Sequence, residues 1–375
     1  MNTSDTLLTL LRVAFGAEKR LPEPLSAEQW AAVLKEARKQ SVVGIAFLGV
    51  SALPEDQYPE MAVIKSWLQL VYNITVTNES LSKGAVAVTD FFRSRGMRCV
   101  ILKGQSLAPY YPHPEYRMSG DIDVWVDAPE AALAALARSL NPGCELCYHH
   151  TDMSLPEAKE VEAHFRPSWM FNPVYNSRLQ AFFRESAAGQ FGNAVVTEHG
   201  AIAVPTTAFN RIYLLLHIYR HVFFEGVGLR QLVDYYYVLK AGFTEEEKAG
   251  TVAIIRRLGL LGICGAVMYV MKKAFGLEDG LLLTEPDRRR GEHLLSEILR
   301  GGNFGRYDDR VNRKAMAFAP RRWLERVRHD CRFALQYPSE ALWAVPFRVW
   351  QKMWRIRLEN RLIFGSNQAV SPKKS

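Results

Sequence analysis

The 375-residue sequence has no uninterrupted apolar run of the roughly 18 residues that a membrane-spanning helix requires. The first 24 residues contain an apolar patch, but no basic segment precedes it and no small-residue cleavage pattern follows it. Hydrophobic residues make up 48% of the chain and charged residues 23%, as in ordinary folded proteins. The sequence therefore predicts a cytoplasmic protein with enough residues for two or three units.

Cysteine is scarce, and the 5 cysteines are too scattered to predict a disulfide framework. Cys144 and Cys147 have the Cys-x-x-Cys spacing and are followed by His149 and His150, which resembles half of a zinc site. A structural zinc site needs further ligands at matching spacing, and the sequence has no second Cys-x-x-Cys. The pattern favours a pair of thiols on a turn that leads into a strand.

The sequence also lacks the His-Glu-x-x-His pattern of zinc proteases. His217 and His221 have the correct separation, but Ile218 stands where the catalytic glutamate belongs. Arg230 and Asp234 repeat the four-residue spacing in the next predicted helix, so each pair shares one helix face. Two interpretations remain open for these four residues: they line a ligand cleft, or they form a structural polar network between helices.

Hydrophobic periodicity divides the chain into a helical region at 1–95, a β-rich region at 96–205 and a second helical region at 206–375. Ser26 and Gln29 have the spacing of a capping box, followed by an apolar-periodic run to about Ala46 and a second helix at about 61–95. A hairpin is predicted at His199-Gly200. The predicted strands are 98–103, 121–126, 145–150, 159–165, 194–197 and 201–204, and the later predicted helices are 129–139, 212–222, 228–239, 244–258 and 263–275.

The most informative stretch is 98–126, where one predicted strand runs into Lys103-Gly104 and the next carries Asp121 and Asp123. Alternate residues of a strand point to the same face, so the two carboxylates lie side by side while Ile122 points to the core. Paired carboxylates suit Mg²⁺, which completes its coordination with water and substrate phosphates. An Asp-x-Asp pair also occurs on solvated strand faces, and the tripeptide alone leaves both interpretations open.

The residues around the pair resemble a known family. Lys103-Gly104, a short helix-like segment, and then RMSGDID at 117–123 resemble the nucleotidyltransferases of the DNA polymerase beta superfamily. The similarity is greatest to a bacterial group of largely uncharacterised nucleotidyltransferase-like proteins. It implies an α+β fold in which a small mixed β-sheet nucleotidyltransferase core is flanked by N-terminal and C-terminal helical regions. It also implies a nucleoside triphosphate (NTP), including ATP, as substrate and two Mg²⁺ ions as cofactors.

The resemblance implies specific roles for residues in this stretch. The glycine-containing turn that holds the triphosphate corresponds to Gly104-Gln105-Ser106, although the family usually has glycine or serine directly after the first glycine. Glycine suits such a turn because it allows positive φ and close approach of the backbone to phosphate. The implied metal ligands at this point are Asp121 and Asp123, and the implied nucleotide-binding residues are Lys103, Gly104, Gln105, Ser106, Arg117 and Gly120.

A third carboxylate completes the site in this superfamily. The segment 159–165 alternates, with Val161 on one face and Glu162 and His164 on the other. The resemblance assigns Glu162 as the third metal-binding acid, while its position alone also suits a solvent-facing glutamate on an edge strand. His164 shares the face of Glu162 and is predicted to contact the substrate, to pair with Glu162, or to be a structural histidine.

The predicted function is transfer of a nucleoside monophosphate from an NTP to a hydroxyl-bearing acceptor by a two-metal mechanism. The acceptor class, whether a protein, a nucleic acid, a metabolite or a sugar, cannot be derived from these residues, and neither can the preferred base. The alternative function is a non-catalytic protein on the same scaffold that binds nucleotide, nucleic acid or a membrane surface.

The alternative depends on the C-terminal segment 311–375, which has 14 Lys or Arg against 4 Asp or Glu and so carries the whole positive excess of the chain. The segment contains two amphipathic helical patterns with tryptophan. A basic amphipathic helix is typical of contact with anionic membranes or RNA, and also of a helix packed on its own domain with a solvated basic face. The apolar stripes are Trp323, Val327, Cys331, Ala334 and Leu335, followed by Trp343, Phe347, Trp350, Trp354 and Leu358.

Overall fold

The computed structural model describes residues 2–311 and 319–368, so the basic residues at 313, 314, 373 and 374 lie outside the described residues. The predicted α+β class is confirmed, because helices flank a small mixed sheet. Within the described residues, no helix is both long and apolar enough to cross a bilayer.

The helices are α1 (Thr3–Ala14), α2 (Ala27–Lys39), α3 (Val43–Ser51), α4 (Met61–Arg93), α5 (Glu130–Leu140), α6 (Pro173–Phe191), α7 (Thr207–Phe224), α8 (Leu229–Lys240), α9 (Glu245–Arg257), α10 (Leu261–Phe275), α11 (Arg288–Gly301), α12 (Ala319–Phe333) and α13 (Pro338–Gln368). The strands are β1 (Cys99–Ile101), β2 (Ile122–Val126), β3 (His150–Leu155), β4 (Ala158–His164), β5 (Ala194–Thr197) and β6 (Gly200–Ala203).

The chain forms two compact units, each assembled from separate segments. The first unit takes the described residues of 1–80, 107–119 and 206–337, and the second takes those of 81–106, 120–205 and 338–375. The units alternate along the chain, whereas the three regions proposed from the sequence are consecutive. That three-region division stays a prediction.

The second unit contains the four-stranded sheet, in the order β1-β2-β4-β3. The pairs β1–β2 and β3–β4 are antiparallel, and β2 and β4 are parallel neighbours in which Asp123 is opposite Glu162. The apolar residues that alternate with these acids, such as Val124 and Ala163, are fully buried in the core of the unit. The parallel pairing therefore brings residues 39 positions apart in sequence to adjacent places on the sheet.

Two sequence predictions about local structure are wrong. The strand expected at 145–150 begins at His150 and runs to Leu155, and only an isolated bridge between Leu146 and Thr151 precedes it. The helical run expected from the capping box to about 46 is interrupted, because Ser41 adopts a left-handed φ of 55° between α2 and α3. A single left-handed residue ends the helical hydrogen-bond pattern, so the periodic run folds as two helices.

Other local predictions are confirmed. The Ser26–Gln29 capping box is present at the start of α2, with each side chain bonded to the other residue's backbone N–H. The predicted hairpin joins β5 and β6, with Thr197 paired opposite Gly200. The helices predicted at 228–239, 244–258 and 263–275 match their positions within two residues, whereas α7 begins five residues before its predicted start at 212, because Thr206 caps it there.

A buried ion pair occupies the interior of the first unit. Arg117 donates from Nε to Asp234 Oδ1 at 2.7 Å and from Nη2 to Oδ2 at 2.8 Å, and both residues are at most 6% exposed. The hydroxyl of Tyr111 donates to the same carboxylate at 2.6 Å. Such a bidentate, fully hydrogen-bonded pair connects the segment before β2 to α8. The contacts favour a structural role for Asp234 and Arg117 over a phosphate-binding role.

We expect Asp234→Ala to lower the free energy of unfolding by about 3–5 kcal/mol, because it leaves the Arg117 guanidinium buried without a counter-charge. The matched control is Asp56→Ala, which breaks an ion pair with Arg20 of 2.6 Å in which both side chains are 59% exposed. An exposed pair contributes about 1 kcal/mol or less. Urea denaturation followed by circular dichroism measures the free energy of unfolding of both variants. Equal decreases for Asp234→Ala and Asp56→Ala would contradict the buried-pair interpretation.

Candidate active site

Two carboxylates from neighbouring strands form the centre of the candidate site. Asp123 on β2 and Glu162 on β4 are paired in register, and their oxygens lie within 4.8 Å of each other and of a ring nitrogen of His164. Asp123 is 2% exposed, while the side chain of Glu162 is 32% exposed. One carboxylate is thus held in the sheet interior and the other reaches solvent.

Two cationic groups balance the buried carboxylate. Lys103 Nζ lies 2.8 Å from Asp123 Oδ1, and His164 Nε2 lies 3.0 Å from the same oxygen. Burial alone would raise the pKa of Asp123, but the Lys103 charge and the His164 hydrogen bond outweigh it and lower that pKa. Asp123 is therefore an anion at neutral pH.

Glu162 is held in the anionic form by two histidines. Its Oε2 lies 3.4 Å from His164 Nε2 and 3.4 Å from His150 Nδ1. Desolvation raises the pKa of Glu162, yet the hydrogen bond from His164 and the charges of both histidines prevail and lower it to about 2. The site thus presents two ionised carboxylates, as a cation-binding site requires.

The turn after β1 has the backbone conformation that its glycine predicts. Gly104 has a φ of +63° and begins a 3₁₀ segment, Gly104–Tyr110, directly after Lys103. Gln105 Nε2 donates to Ser82 Oγ at 3.2 Å, and the buried Ser106 hydroxyl donates to the carbonyl of Leu102. The left-handed glycine is present, while the Ser106 hydroxyl is engaged by the backbone.

Other sequence-predicted residues are placed elsewhere. Asp121 precedes β2 and lies outside the group of side chains that converge within 4.8 Å among the described residues, and Gly120 is exposed. In the first unit, Arg230 Nη1 donates to the carbonyl of Met118 at 3.2 Å. His217 and His221 on α7 meet edge to face at a ring separation of 4.3 Å.

The sequence does not identify His150 as part of the site. In the sequence, His149 and His150 are noted only as neighbours of the Cys-x-x-Cys pair. Because the strand is predicted at 145–150 and lies at 150–155, the pairing of His150 with β4 is not predicted. In the structure His150 is paired opposite His164, and its ring lies beside Glu162. Two consecutive histidines at the start of a strand are the available signal.

We expect Gly104→Ala to lower the free energy of unfolding by about 1–2 kcal/mol, because a Cβ strains the left-handed conformation at this position. A steric clash would not contribute to this loss of stability, since a Cβ at residue 104 would come no closer than an ordinary 3.7 Å to its nearest neighbour, the carbonyl oxygen of Asp121. Gly120→Ala is the control, because Gly120 lacks positive φ and has open space around it. A Gly104→Ala variant as stable as Gly120→Ala would show that the turn is not strained.

A solved nucleotidyltransferase-like antigenic protein from Paracoccidioides brasiliensis is similar to the chain, with 12% identity over 48% of this chain and 88% of that one and a TM-score of 0.31. None of the curated proteins matches the chain. The profile of a family described as uncharacterised nucleotidyltransferase matches residues 26–276, which include the glycine turn, Asp123, Glu162 and α7 to α10. The chain belongs to this uncharacterised nucleotidyltransferase family.

Proposed function

We propose that the chain transfers a nucleoside monophosphate from an NTP to a hydroxyl-bearing acceptor, using Asp123 and Glu162 to hold divalent metal. The observation that carries the proposal is the in-register pair of ionised carboxylates beside a left-handed glycine turn and a lysine. Phosphoryl-transfer sites need this combination of cation ligands and phosphate contacts.

The donor set fits Mg²⁺. Mg²⁺ takes one or two protein carboxylates and fills its remaining positions with water and substrate phosphates. Asp123 and Glu162 supply two anionic oxygens within 4.8 Å of each other. Asp121 is the third proposed ligand, because it lies two residues before Asp123 and alternate positions along an extended chain share a face. When bound, Mg²⁺ would neutralise triphosphate charge and acidify the acceptor hydroxyl.

Lys103 and Gly104 would contact the triphosphate. Lys103 compensates the charge of Asp123 at 2.8 Å, and with a metal ion held at Asp123 the ammonium group would be able to contact a phosphate oxygen. Gly104 has no Cβ to keep a phosphate from the adjacent backbone N–H groups. Gln105, Ser106 and Gly120 complete the proposed nucleotide-binding set, with Ser106 acting through its backbone because its hydroxyl donates to the carbonyl of Leu102.

In the reaction the acceptor oxygen attacks the α-phosphorus, the bond to the bridging α–β oxygen breaks, and pyrophosphate leaves with that oxygen. Glu162 is not suited to take the hydroxyl proton, because a carboxylate with a pKa of about 2 is a weak base. Its role is to hold positive charge. The proton passes to solvent, which reaches the site at the 32% exposed side chain of Glu162.

Incubation of the purified protein with α-labelled ATP, GTP, CTP and UTP, Mg²⁺ and a cell extract tests the proposal. We expect Asp123→Asn and Glu162→Gln each to reduce label transfer by about 10²-fold or more, since each removes an electrostatic contact made to the reacting phosphate through its cation. Asp121→Asn is expected to reduce transfer as well.

The matched control is Glu160→Gln, which makes the same change two residues away on β4 at an exposed position. It should transfer label like the wild type. Transfer that persists in the Asp123→Asn/Glu162→Gln double variant, with a normal circular dichroism spectrum, would overturn the catalytic assignment.

A second candidate function rests on the outer face of α13. Apolar side chains at 342, 349, 353 and 356 follow helical spacing and are 47–76% exposed, and Trp343 and Trp350 flank them at 43% and 41%. The exposed charged residues of the helix among those described are Lys352, Arg357 and Arg361, all basic. An apolar face bordered by cations is complementary to an anionic membrane surface.

We expect the protein to sediment with vesicles that contain phosphatidylglycerol and not with pure phosphatidylcholine, with binding reduced by added salt. Val349→Asp should weaken vesicle binding by about tenfold, the equivalent of one buried apolar side chain. Val196→Asp on β5 is the control, because Val196 is 88% exposed and lies outside this face. Equal binding by both variants would exclude α13 as the contact surface.

A further inference from the structure

Three histidines form a second cluster next to the carboxylates. His149, directly before β3, His150, its first residue, and His164, at the end of β4, each place one ring nitrogen within 4.8 Å of the other two. The rings of His149 and His150 are 4.3 Å apart, and that of His164 is 5.2 Å and 5.1 Å from them. The antiparallel pairing of His150 with His164 brings the two strands' histidines together.

His164 has a buried nitrogen that nothing in the described protein satisfies. Its Nε2 is 3.0 Å from Asp123 Oδ1, while Nδ1 is buried and has no hydrogen-bond partner among the described residues. A metal ion requires the neutral ring, and with its proton on Nε2 the buried Nδ1 presents an unused lone pair, an unfavourable state for a buried acceptor. Metal-binding histidines commonly donate their other N–H to a carboxylate, which is the relation of His164 to Asp123.

His150 stands in the same relation to another carboxylate. Its Nε2 lies 3.5 Å from Asp152 Oδ1, and its Nδ1 lies 3.1 Å from His149 Nε2. A tetrahedral ion with bonds of about 2.0–2.1 Å holds neighbouring ligand atoms about 3.3 Å apart, so the two nitrogens already have nearly this spacing. The backing carboxylates of His150 and His164 would both orient the rings for an ion.

His149 is held in a different tautomer by Trp169. Trp169 Nε1 donates to His149 Nδ1 at 3.2 Å, which places the proton of the neutral ring on Nε2, facing His150. Ligation through Nε2 needs the proton on Nδ1 instead, so the Trp169 hydrogen bond must be given up when an ion binds. The Trp169 hydrogen bond therefore stabilises the tautomer of His149 that cannot bind an ion through Nε2.

We propose that His149, His150 and His164 bind one Zn²⁺ ion with an open fourth position beside the Asp123–Glu162 pair. Three imidazole nitrogens suit Zn²⁺, whereas Mg²⁺ prefers oxygen ligands. The ion supplies the partner that His164 Nδ1 lacks and joins the start of β3 to the end of β4. This site goes beyond the proposed nucleotidyl transfer and does not require it.

The test uses the full chain, stripped of metal with a chelator and kept free of nucleotide. We expect one Zn²⁺ per chain in competition with a chromophoric chelator, a visible absorption band typical of tetrahedral coordination when Co²⁺ replaces Zn²⁺, and a melting temperature raised by Zn²⁺ but not by equal Mg²⁺. His149→Ala and His150→Ala should each weaken Zn²⁺ binding by about tenfold or more. His113→Ala, an exposed histidine of the first unit, should bind like the wild type.

Trp169→Phe separates an ion site from a structural hydrogen-bond network. Phenylalanine keeps the aromatic contact with Phe347, at a ring separation of 4.6 Å, but removes the donor to His149. Zn²⁺ binding should be unchanged or tighter. A loss as large as that of His149→Ala, in a variant with native circular dichroism, would overturn the proposal.

Two further results would also overturn it: no Zn²⁺ bound to the wild type, or wild-type affinity in His149→Ala and His150→Ala. If His149→Ala fails to fold, His149→Gln keeps a polar side chain and removes the imidazole. A chain that binds Zn²⁺ but transfers no label refutes only the nucleotidyltransferase proposal. A chain that transfers label but binds no Zn²⁺ refutes only the zinc site.

Discussion

The parallel pairing of β2 with β4 is the constraint on which the candidate site depends. It places Asp123 directly beside Glu162, one of them almost fully buried. Two anions at this separation repel each other strongly where water is excluded. The fold is stable in this arrangement because positive charge is built in around them, with Lys103 at 2.8 Å and His164 at 3.0 Å from Asp123.

This charge compensation connects the fold to the chemistry. A carboxylate pair neutralised only by solvent counterions would favour protonation of one acid, and a protonated acid is a poor metal ligand. Here both remain ionised, since the pKa of each carboxylate is lowered despite desolvation. A divalent ion bound by this pair would therefore replace existing positive charge and would need no deprotonation of its carboxylate ligands.

Local pattern predicts the parts of the site that depend on neighbouring residues in sequence. The alternation around Asp123 and Glu162 identifies two polar positions between core residues, and the need for positive φ identifies Gly104. The family resemblance is needed to connect the acids to each other. Sequence alone cannot show that β2 and β4 are parallel neighbours, because α5 and β3 lie between them along the chain while β3 pairs on the far side of β4.

What the sequence does not reveal depends on pairings at long separation. Arg117 and Asp234 are 117 positions apart and form one bidentate pair, so no local pattern distinguishes this from a phosphate contact. His150 joins the site through the register of β3 against β4, which contains an irregularity between Met153 and Leu155. A strand predicted a few residues too early assigns its side chains to the wrong partners.

In the helix α13, hydrophobic periodicity in the sequence does not predict which apolar residues are buried. Its predicted stripe divides in three dimensions: Phe347, Trp354 and Leu358 are buried within the second unit, while Trp343 and Trp350 remain more than 40% exposed. Sequence periodicity finds one apolar face, but the structure leaves a second row of apolar residues outside. Contiguous exposed apolar residues that are bordered by polar ones are typical of surfaces that contact another molecule. The basic residues that border this row are the ones that the proposed contact with an anionic surface would use.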